Sequence, residues 1–382
     1  MDFRLSEEQI VVREVVKRFM LDEQVQSWIA DAERTHAFPH AFMRRAAEMG
    51  FLAMCTKEAY GGAGMDALSA IEAIEEFAYW WIAGSLNILV QNSLAGFAIE
   101  TFGTNEQKQR FLPRMATGEL IGCFANTEPD AGSDAKNFIT RAIACEGGWR
   151  ITGQKRFCTN ASVAGVIVLF ARTKKGAAGF PGTTAFLIDL ERDPPGLKVV
   201  PQEKNLQFGS TLCDIYFDEV FVPYDELLGS VDHGWEVCER TFQHSRIWIA
   251  AQAVGAARRA FDEAMRHVRM RTLSLGNKMI EYQMIRLTLA DRLVAIESAK
   301  ILTQKAAWLE SMDDPDLDSA ASKAKYAASE AAKEIVLTLD EYYGGYVSDP
   351  ACIAARLKRD ALIFRTYEGP SNIQLEIIAK RM

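Results

Sequence analysis

The sequence predicts an α+β fold in three parts: an all-α N-terminal domain (residues 1–122), a middle antiparallel β domain (123–232) and a C-terminal α-helical four-helix bundle (233–382). Three observations lead to this prediction. Apolar residues recur at helical spacing up to about residue 122, short β-rich runs separated by turns follow, and long helical patterns return after residue 233. The 382 residues are enough for two or three domains that each bury a core.

The helices of the first part are predicted from apolar residues three or four positions apart, beginning with Ile10, Val11, Val15 and Phe19. Glycine-containing turns at 60–62 and 103–105 interrupt the pattern. The stretch 80–99 is apolar enough to raise the question of a membrane span. Because polar residues at 87 and 91–93 interrupt its middle, we expect a buried helix instead.

The middle part contains short runs rich in β-branched and aromatic residues, at 149–152, 165–170, 184–188, 197–200, 213–217 and 220–223. Turn sequences such as those at 146–148 and 193–196 separate the runs, and no long helical pattern intervenes. This arrangement is typical of an antiparallel sheet.

The last part carries three helical apolar stripes, within 250–261, 280–296 and 324–339. The first is rich in alanine and contains Gly255, so a neighbouring backbone can approach it closely, as in a tight bundle. The second consists of Ile280, Met284, Leu287, Leu293 and Ile296, and we expect core packing for most residues of the three stripes.

Charge and cysteine usage narrow the class of protein. The net charge of −8 argues against a general affinity for nucleic acid or an anionic membrane. The seven cysteines are scattered and never spaced as Cys-x-x-Cys, which indicates reduced thiols. Pro39 between His36 and His40 spoils a helical pair of metal ligands, so no metal site is expected. The N-terminus lacks signal-peptide features, and we expect a cytoplasmic protein.

The first candidate site is the loop Thr-Glu-Pro-Asp-Ala-Gly-Ser-Asp at 127–134, which follows an apolar run. Pro129 fixes φ and Gly132 permits a left-handed turn, so an ordered turn with exposed backbone N–H groups is expected. Together with the hydroxyls of Thr127 and Ser133, these groups could hold phosphate or flavin oxygens. A plain connecting turn is the alternative.

The second candidate is Lys-Arg-Phe-Cys-Thr-Asn at 155–160, directly after the run at 149–152. On an extended segment Phe157 and Thr159 point to the same side, where an aromatic face and a hydroxyl would suit a flavin. A core phenylalanine beside a polar turn is equally consistent with the pattern.

The third candidate is Tyr-Glu-Gly-Pro-Ser-Asn-Ile-Gln at 367–374. Ser371 and Gln374 have capping-box spacing ahead of an apolar run, which predicts that a helix starts there. Glu368 precedes this helix on a Gly-Pro connection. It is either an exposed partner of the helix dipole or a positioned base.

The three loops, in this order and within an α-β-α arrangement, resemble those of the acyl-CoA dehydrogenase family of flavoproteins. The resemblance covers essentially the whole chain. It extends to the opening Phe-Arg-Leu-Ser-Glu-Glu-Gln at 3–9, Val-Pro-x-x-x-Leu-Leu-Gly at 222–229, Arg246 followed by Ala-Ala-Gln-Ala-Val-Gly at 250–255, and Gly344-Gly345.

The resemblance implies an oxidoreductase acting on a CH–CH bond, with FAD lying between the β domain and the bundle. Glu368 would remove the α-proton of an acyl thioester while the β-hydrogen leaves as hydride to the flavin, giving a trans-2-enoyl product. The implied FAD-binding residues are Phe124, Asn126, Thr127, Gly132, Ser133, Phe157, Thr159, Arg271, Gln283, Glu341, Gly344, Gly345 and Ser371. The implied substrate-binding residues are Ser133, Arg246, Tyr367 and Gly369.

Several positions depart from the family pattern. Some members place the base one residue before the arginine that matches Arg246, but Ser245 stands there and cannot serve. Around the expected adenosine site this chain has Arg271 shifted by one, with Thr272, Leu275 and Gly276 following. It also has Glu341 and Val347 where glutamine and glycine are usual. Phe157 replaces a usual tryptophan and Pro370 a usual threonine. Because of the changes around Arg271 and at Glu341 and Val347, we expect FAD to bind more weakly or through altered contacts at the adenosine end.

The resemblance further implies a homotetramer that passes electrons to an acceptor such as electron-transfer flavoprotein. The thioester could be carried by CoA or by an acidic carrier protein. A basic rim on one helix would favour the carrier protein, and the candidates for such a rim are Arg258, Arg259, Arg266, Arg269 and Arg271. A flavin oxidase or monooxygenase of the same fold is one alternative. A non-catalytic subunit that pairs with an active homologue is another, because the adenosine site is altered.

Overall fold

The computed structural model describes residues 4–134, 137–174, 182–273 and 276–382. The helices are α1 (Glu7–Leu21), α2 (Glu23–Thr35), α3 (His40–Glu48), α4 (Ala67–Trp80), α5 (Ile82–Leu89), α6 (Phe97–Phe102), α7 (Asn105–Ala116), α8 (Gly234–Met270), α9 (Gln283–Ser311), α10 (Leu317–Tyr343), α11 (Ile353–Ala361) and α12 (Ser371–Ala379). The strands are β1 (Gly122–Ala125), β2 (Arg141–Cys145), β3 (Gly148–Thr159), β4 (Val166–Arg172), β5 (Thr183–Asp189), β6 (Leu197–Pro201), β7 (Leu212–Pro223) and β8 (Leu227–Leu228). Helix, strand and helix therefore follow one another as predicted, and the predicted fold class is confirmed.

The strands form one sheet in the order β6-β7-β3-β2-β4-β5-β8, with β1 beside β4. Most neighbours are antiparallel, as expected, but β1 pairs with β4 in parallel and β2 makes one parallel contact with β4. Each of the predicted β runs falls on one of the strands from β3 to β7. β1, β2 and β8 were not predicted as strands.

The chain divides into two compact units. The bundle unit comprises the residues up to Asp22, Asp66–Ser85 and Arg246–Met382; the sheet unit comprises Glu23–Met65 and Leu86–Ser245. The helices of the first third are thus shared: α1 and α4 belong to the bundle unit, and α2, α3 and α7 to the sheet unit. The predicted domain boundaries at 122 and 232 follow the changes between helix and strand and remain a prediction.

In the bundle unit, α8 approaches α4 closely at Gly255. A Cβ atom on this glycine would clash with the carbonyl oxygen of Glu75. Glu75 is itself buried and pairs with Arg258 of α8 and with Lys300 of α9 at 3.0 Å. The close approach predicted from the small residues of α8 is therefore present.

In the sheet unit, a π-helical stretch at Val90–Gly96 connects α5 to α6 and supports β1. Buried Gln91 accepts a hydrogen bond from the backbone N–H of Gly122 at 2.7 Å and donates to the carbonyl oxygen of Leu120 at 2.9 Å. The helical segment Ile82–Phe102 is long and apolar enough to cross a membrane, but 94% of its apolar window is buried inside the protein. The prediction of a buried helix is confirmed.

In two helices the buried residues coincide only in part with the apolar residues from which the helices were predicted. In α1 the buried residues are Val12, Val16, Phe19 and Met20, whereas Ile10 and Val11 are exposed. In α9 Ile296 is buried as expected, but Met284, Leu287 and Leu293 are exposed. Both helices lie where they were predicted, and the difference concerns which side of each helix faces the core.

Candidate active site

The loop after β1 is an ordered turn, as predicted. The backbones of Glu128 and Ala131 exchange two hydrogen bonds, at 3.1 and 3.2 Å. The carboxylate of Glu128 is buried and accepts the backbone N–H groups of Ile139 at 2.7 Å and Thr140 at 3.0 Å. The loop is thus held from inside by one acidic side chain, while Gly132 and Ser133 at its tip are exposed.

A buried ion pair connects this loop to β3. Lys155 has no solvent exposure, and its Nζ donates to Oε1 of Glu128 at 2.8 Å and to the carbonyl oxygen of Asn126 at 3.0 Å. Burial would raise the pKa of Glu128, but Lys155 and the N–H of Ile139 outweigh it and hold the pKa below its usual value. Burial lowers the pKa of Lys155 against the opposing effect of Glu128. Because Glu128 accepts bonds from both the amine and the backbone, the ionised pair is the stable form.

Residues 155–159 belong to β3 rather than to a loop after it, Asn160 follows in a turn, and this end of the strand is irregular. The pairing of β3 with β7 shifts register between Lys155 and Cys158. Phe157 has a left-handed backbone, with φ of 58°. The expectation that Phe157 and Thr159 share a side because the segment is extended is therefore wrong in its reasoning. Phe157 is 55% exposed, which rules out the alternative of a core phenylalanine.

The first two candidate loops lie side by side. The backbone N–H of Arg156 donates to the carbonyl oxygen of Thr127 at 2.7 Å, next to the contact between Lys155 and Asn126. Asn126 is buried, and its Oδ1 lies 3.5 Å from Sγ of Cys238. Phe124 is buried in an aromatic cluster with Phe170 and Phe242, at ring-centroid distances of 5.0 and 5.6 Å.

In the bundle unit, Glu368 sits on a strained turn. It is a non-glycine residue with φ of 52°, followed by Gly369 with φ of 90°. The φ of Gly369 favours glycine, and a Cβ there would also displace Nε2 of Gln374. Strained backbone of this kind persists where the surroundings hold it in place, and it is concentrated at functional sites.

Three side chains hold this turn. Nε2 of Gln374 donates to the carbonyl oxygens of Glu368 at 3.3 Å and Gly369 at 2.8 Å. Nζ of Lys325 donates to the same oxygen of Gly369 at 2.7 Å. The hydroxyl of Tyr367 donates to Oε1 of Gln252 at 2.6 Å. Glu368 itself is half-buried on this anchored turn.

The predicted capping box at the start of α12 is wrong, although the helix does begin at Ser371. Pro370 is the cap residue and makes no side-chain capping bond. The hydroxyl of Ser371 donates instead to Glu330 at 2.8 Å, and Glu330 also pairs with Arg365 at 2.7 Å. The amide of Gln374 is engaged by the turn before the helix.

Charged groups surround the Glu368 turn. Arg246 is buried and pairs with Asp318 at 3.0 Å. Lys325 is fully buried, and this burial lowers its pKa to about 7; Glu368 opposes the fall and Arg246 adds to it. The structure thus brings the expected substrate residues Arg246, Tyr367 and Gly369 together with Glu368.

The residues expected at the adenosine end of FAD lie elsewhere. Glu341 follows Lys325 by 16 positions on α10, or roughly 24 Å at the α-helical rise. Gln283, Glu341, Gly344 and Gly345 are exposed. The guanidinium of Arg271 lies 5.6 Å from the ring centroid of Tyr346, just after these glycines. Leu275 is outside the described residues. On one chain, this set and Glu368 do not form a single site.

Sequence reasoning missed the side chains that hold the site, namely Lys155, Gln252 and Lys325. Lys325 carried a usable signal. It falls on the buried stripe of α10, between Ala321 and Ala328, and a lysine on an apolar stripe requires a partner.

The residues that the resemblance assigns to the flavin ring suit it chemically. Phe157 offers an exposed aromatic face for a planar ring. Thr127, Ser133 and Thr159 offer hydroxyls, and the loop backbone offers N–H groups that can donate to ring nitrogens and carbonyl oxygens. The donor set of the sheet unit therefore fits FAD.

Comparison with known proteins gives the family. The models described as the N-terminal, middle and C-terminal domains of acyl-CoA dehydrogenase match residues 6–119, 123–220 and 232–382. The chain is 34% identical over 384 residues to the short-chain specific acyl-CoA dehydrogenase of Clostridium acetobutylicum, covering 100% of both chains. It is 31% identical over 376 residues to subunit CarC of the caffeyl-CoA reductase-Etf complex of Acetobacterium woodii, covering 98% of both.

Solved structures agree with this result. Butyryl-CoA dehydrogenase from Megasphaera elsdenii has a TM-score of 0.94 at 30% identity, covering 100% of this chain and 99% of that one. PigA with FAD and proline has a TM-score of 0.93 at 27% identity, with the same coverage. The prolyl acyl carrier protein oxidase AnaB has a TM-score of 0.93 at 27% identity, covering 99% of both chains. The chain therefore belongs to the acyl-CoA dehydrogenase family and is an FAD-dependent oxidoreductase.

Proposed function

We propose that the protein oxidises an acyl thioester at its α,β-bond to the trans-2-enoyl thioester, with Glu368 as the base. The observation that carries this proposal is the anchored, left-handed turn at Glu368, whose neighbours Tyr367 and Gly369 are each held by buried side chains. A carboxylate carried by a fixed backbone can be directed at a substrate proton from one position, which is what a general base requires.

The roles of the chain's own residues follow from this geometry. In this proposal Glu368 takes the α-proton, and its backbone N–H would donate to the thioester carbonyl oxygen as negative charge builds there. Arg246 and Tyr367 line the same region and orient the acyl group. FAD, when bound, would supply the acceptor for the hydride, which is the β-hydrogen together with two electrons from the substrate. The substrate loses one proton and one hydride, and a C=C bond forms.

The FAD-holding residues fall into two sets. Thr127, Ser133, Phe157 and Thr159 of the sheet unit would hold the flavin ring, with Asn126 ordering the loop beside it. The adenosine end of FAD bound to a neighbouring subunit would meet the second set, which is Arg271, Gln283, Glu341, Gly344 and Gly345. Glu341 lies roughly 24 Å along α10 from Lys325, the residue that holds the Glu368 turn, which is why we assign this set to another subunit's cofactor. We assign Ser371 a supporting role, since its hydroxyl hydrogen is used by Glu330.

A homotetramer is supported by an unusual surface on α9. Its exposed side chains Leu287, Val294, Ile301 and Trp308 recur every seventh residue, and each is between 48% and 63% exposed. A heptad-spaced apolar stripe on a long helix is typical of a helix that packs against another helix. We propose that a second copy of the chain covers it.

A CoA thioester is the favoured substrate class. The relative from Clostridium acetobutylicum is named as short-chain specific and the Megasphaera elsdenii protein as a butyryl-CoA dehydrogenase. The basic rim expected for a carrier protein is weakened by the structure. Arg258 pairs with Glu75, while Arg259 and Arg266 both pair with Glu263. These arginines are largely neutralised by their own chain, which leaves little field for an acidic carrier.

We propose an electron-transfer flavoprotein as the electron acceptor, because the Acetobacterium woodii relative is named as part of an Etf complex. The similarity to AnaB, which is named an oxidase, makes oxygen the competing acceptor. Stopped-flow mixing of the reduced protein with air-saturated buffer separates them: reoxidation within seconds would favour the oxidase.

The experiment that tests the proposed reaction is anaerobic bleaching of the bound flavin by a panel of acyl-CoA and acyl-carrier thioesters, with chromatography of the product. We expect short-chain acyl-CoA to bleach the flavin and to yield the trans-2-enoyl thioester. A purified protein that is colourless and does not bind added FAD would support the alternative of a non-catalytic subunit. Bleaching without an enoyl product would contradict the proposed reaction.

A further inference from the structure

Lys325 is a buried cation at a place where a cation is expensive. It lies on α10 on the same stripe as buried Ala321 and Ala328, and it has no solvent exposure. An aliphatic side chain would fill such a position at lower cost in free energy, because burying an amine removes its hydration. Its presence calls for a role that an apolar residue cannot perform.

The amine is directed at the Glu368 turn. Nζ of Lys325 donates to the carbonyl oxygen of Gly369 at 2.7 Å. That oxygen also accepts from Gln374 at 2.8 Å. Glu368 and Gly369 both have left-handed backbones, so the turn depends on these bonds to hold a conformation that the chain does not favour by itself.

The charged groups that act on Lys325 come from four elements. Glu368 in the turn and Glu330 on α10 favour its charged form, whereas Arg246 on α8 and Arg365 in the short 3-10 helix Leu362–Arg365 disfavour it. Asp318 partly neutralises Arg246, and Glu330 pairs with Arg365. Glu368 is the largest favourable contribution, which makes it the principal counter-charge of Lys325.

We propose that Lys325 is a positioning residue for the proton-abstracting carboxylate: its amine fixes the turn through the carbonyl oxygen of Gly369, and its positive charge favours the ionised form of Glu368. This inference rests on the proposed function. When Glu368 accepts a proton it loses its attraction to the ammonium, so the cation keeps the carboxylate ready as a base in mildly acidic solution. Burial lowers the pKa of Lys325 to about 7, so the amine is charged in that range.

The test is the pH dependence of flavin bleaching by the thioester that bleaches the parent fastest, measured for Lys325→Met and Lys325→Gln. Methionine removes the charge and the donor, whereas glutamine removes the charge but keeps a donor for Gly369. We expect the acid limb of the rate profile to move up by about one pH unit in both variants. We also expect the maximal rate to fall by about tenfold or more in Lys325→Met and by less in Lys325→Gln.

Lys323→Met is the matched control, because Lys323 is exposed on the same helix and its loss removes the same charge. It should keep the parental profile. If the acid limb stays in place in folded Lys325→Gln, Lys325 only packs the helix and the inference is overturned, whether or not Lys325→Met folds. Glu368→Gln separates the proposed base from the proposed role of Lys325. If Glu368→Gln bleaches the flavin at the parental rate, Glu368 is not the base. If Glu368→Gln does not bleach the flavin but the acid limb stays in place in the Lys325 variants, only the inference about Lys325 is refuted.

Discussion

The side chain of Lys155 shows what a single buried charge does in this protein. It has no solvent exposure, and its bonds to Glu128 and Asn126 join the loop at 127–134 to β3. Two segments distant in sequence are thereby fixed against each other at the place where the flavin ring is proposed to bind. The pair acts on the shape of the site and need not touch the cofactor.

Removing one member of this pair should be costly. We expect Lys155→Met to lower the free energy of unfolding by about 3–5 kcal/mol, because it leaves the Glu128 carboxylate buried without its counter-charge. The double variant Lys155→Met/Glu128→Gln should recover part of this loss. Lys198→Met, at an exposed position of β6, should be near neutral. Chemical denaturation of the FAD-free protein measures all four proteins, and a Lys155→Met variant as stable as the Lys198→Met control would show that the pair contributes little.

Lys325 should impose its own pH dependence on stability. Its pKa is about 7 in the folded protein, below the ordinary lysine value of 10.5, so the unfolded chain holds the proton between these limits and the folded chain does not. Stability conferred by the parent residue therefore rises as the pH increases from about 7 toward 10.5, and the cost of burying the charge is greatest below 7.

The measurement is the difference in unfolding free energy between the parent and Lys325→Met across this pH window. The unfolding free energy of the parent should increase relative to that of the variant by several kcal/mol from pH 7 to 10. A difference that stays constant with pH would mean that the buried amine does not titrate there.

At this scale the sequence predicted the residues that carry motifs and missed those that support them. Glu368 and Phe157 stand in recognisable loops, so their positions could be assigned in advance. Gln252 and Lys325 support the turn from α8 and α10, and contacts across such distances in sequence leave no local pattern. The orientation of Phe157 was also beyond reach, because it depends on an irregularity in the pairing of β3 with β7.

Among the elements, α9 differs most from expectation. Its apolar residues at 284, 287 and 293 were assigned to the core, but a long helix with apolar residues on two sides can bury only one of them within its own chain. The exposed side, with its seven-residue spacing, fits contact with another helix.

Charging this stripe should break the oligomer. We expect the double variant Leu287→Glu/Ile301→Glu to sediment as a smaller species than the parent and to bind FAD more weakly, because Arg271 and Glu341 would no longer be supplied by a neighbouring subunit. Val11→Glu is the control, since Val11 is an exposed aliphatic residue of α1 outside the stripe. Sedimentation velocity decides the matter, and an unchanged mass for the double variant would place the interface elsewhere.

The strand β2 could not be predicted from its composition. β2 has few β-branched residues, yet all five of its residues pair with β3. Its conformation comes from this pairing rather than from its own preference, which explains why composition did not reveal it. The longer runs of β4, β5 and β7 were predicted because they are rich in apolar residues. Side chains of these runs are buried in the sheet core.

For the whole molecule, the order of helix, sheet and helix was readable because periodicity is a local property. The grouping of the chain into two compact units was not, since α1 and α4 join the bundle unit from positions far away in sequence. Membership in the acyl-CoA dehydrogenase family then gives the chemistry that the scaffold serves. The central claim of the proposed reaction is that Glu368 removes the α-proton.

Glu368→Gln tests that most directly, with Glu376→Gln on the exposed part of α12 as the control. The rate of anaerobic flavin bleaching by the best short-chain acyl-CoA is measured for the parent and both variants at saturating substrate. We expect Glu376→Gln to match the parent and Glu368→Gln to be slower by about a thousandfold or more while still binding FAD and substrate, because the amide cannot accept the α-proton. Bleaching by Glu368→Gln at a rate near that of the parent would contradict the account.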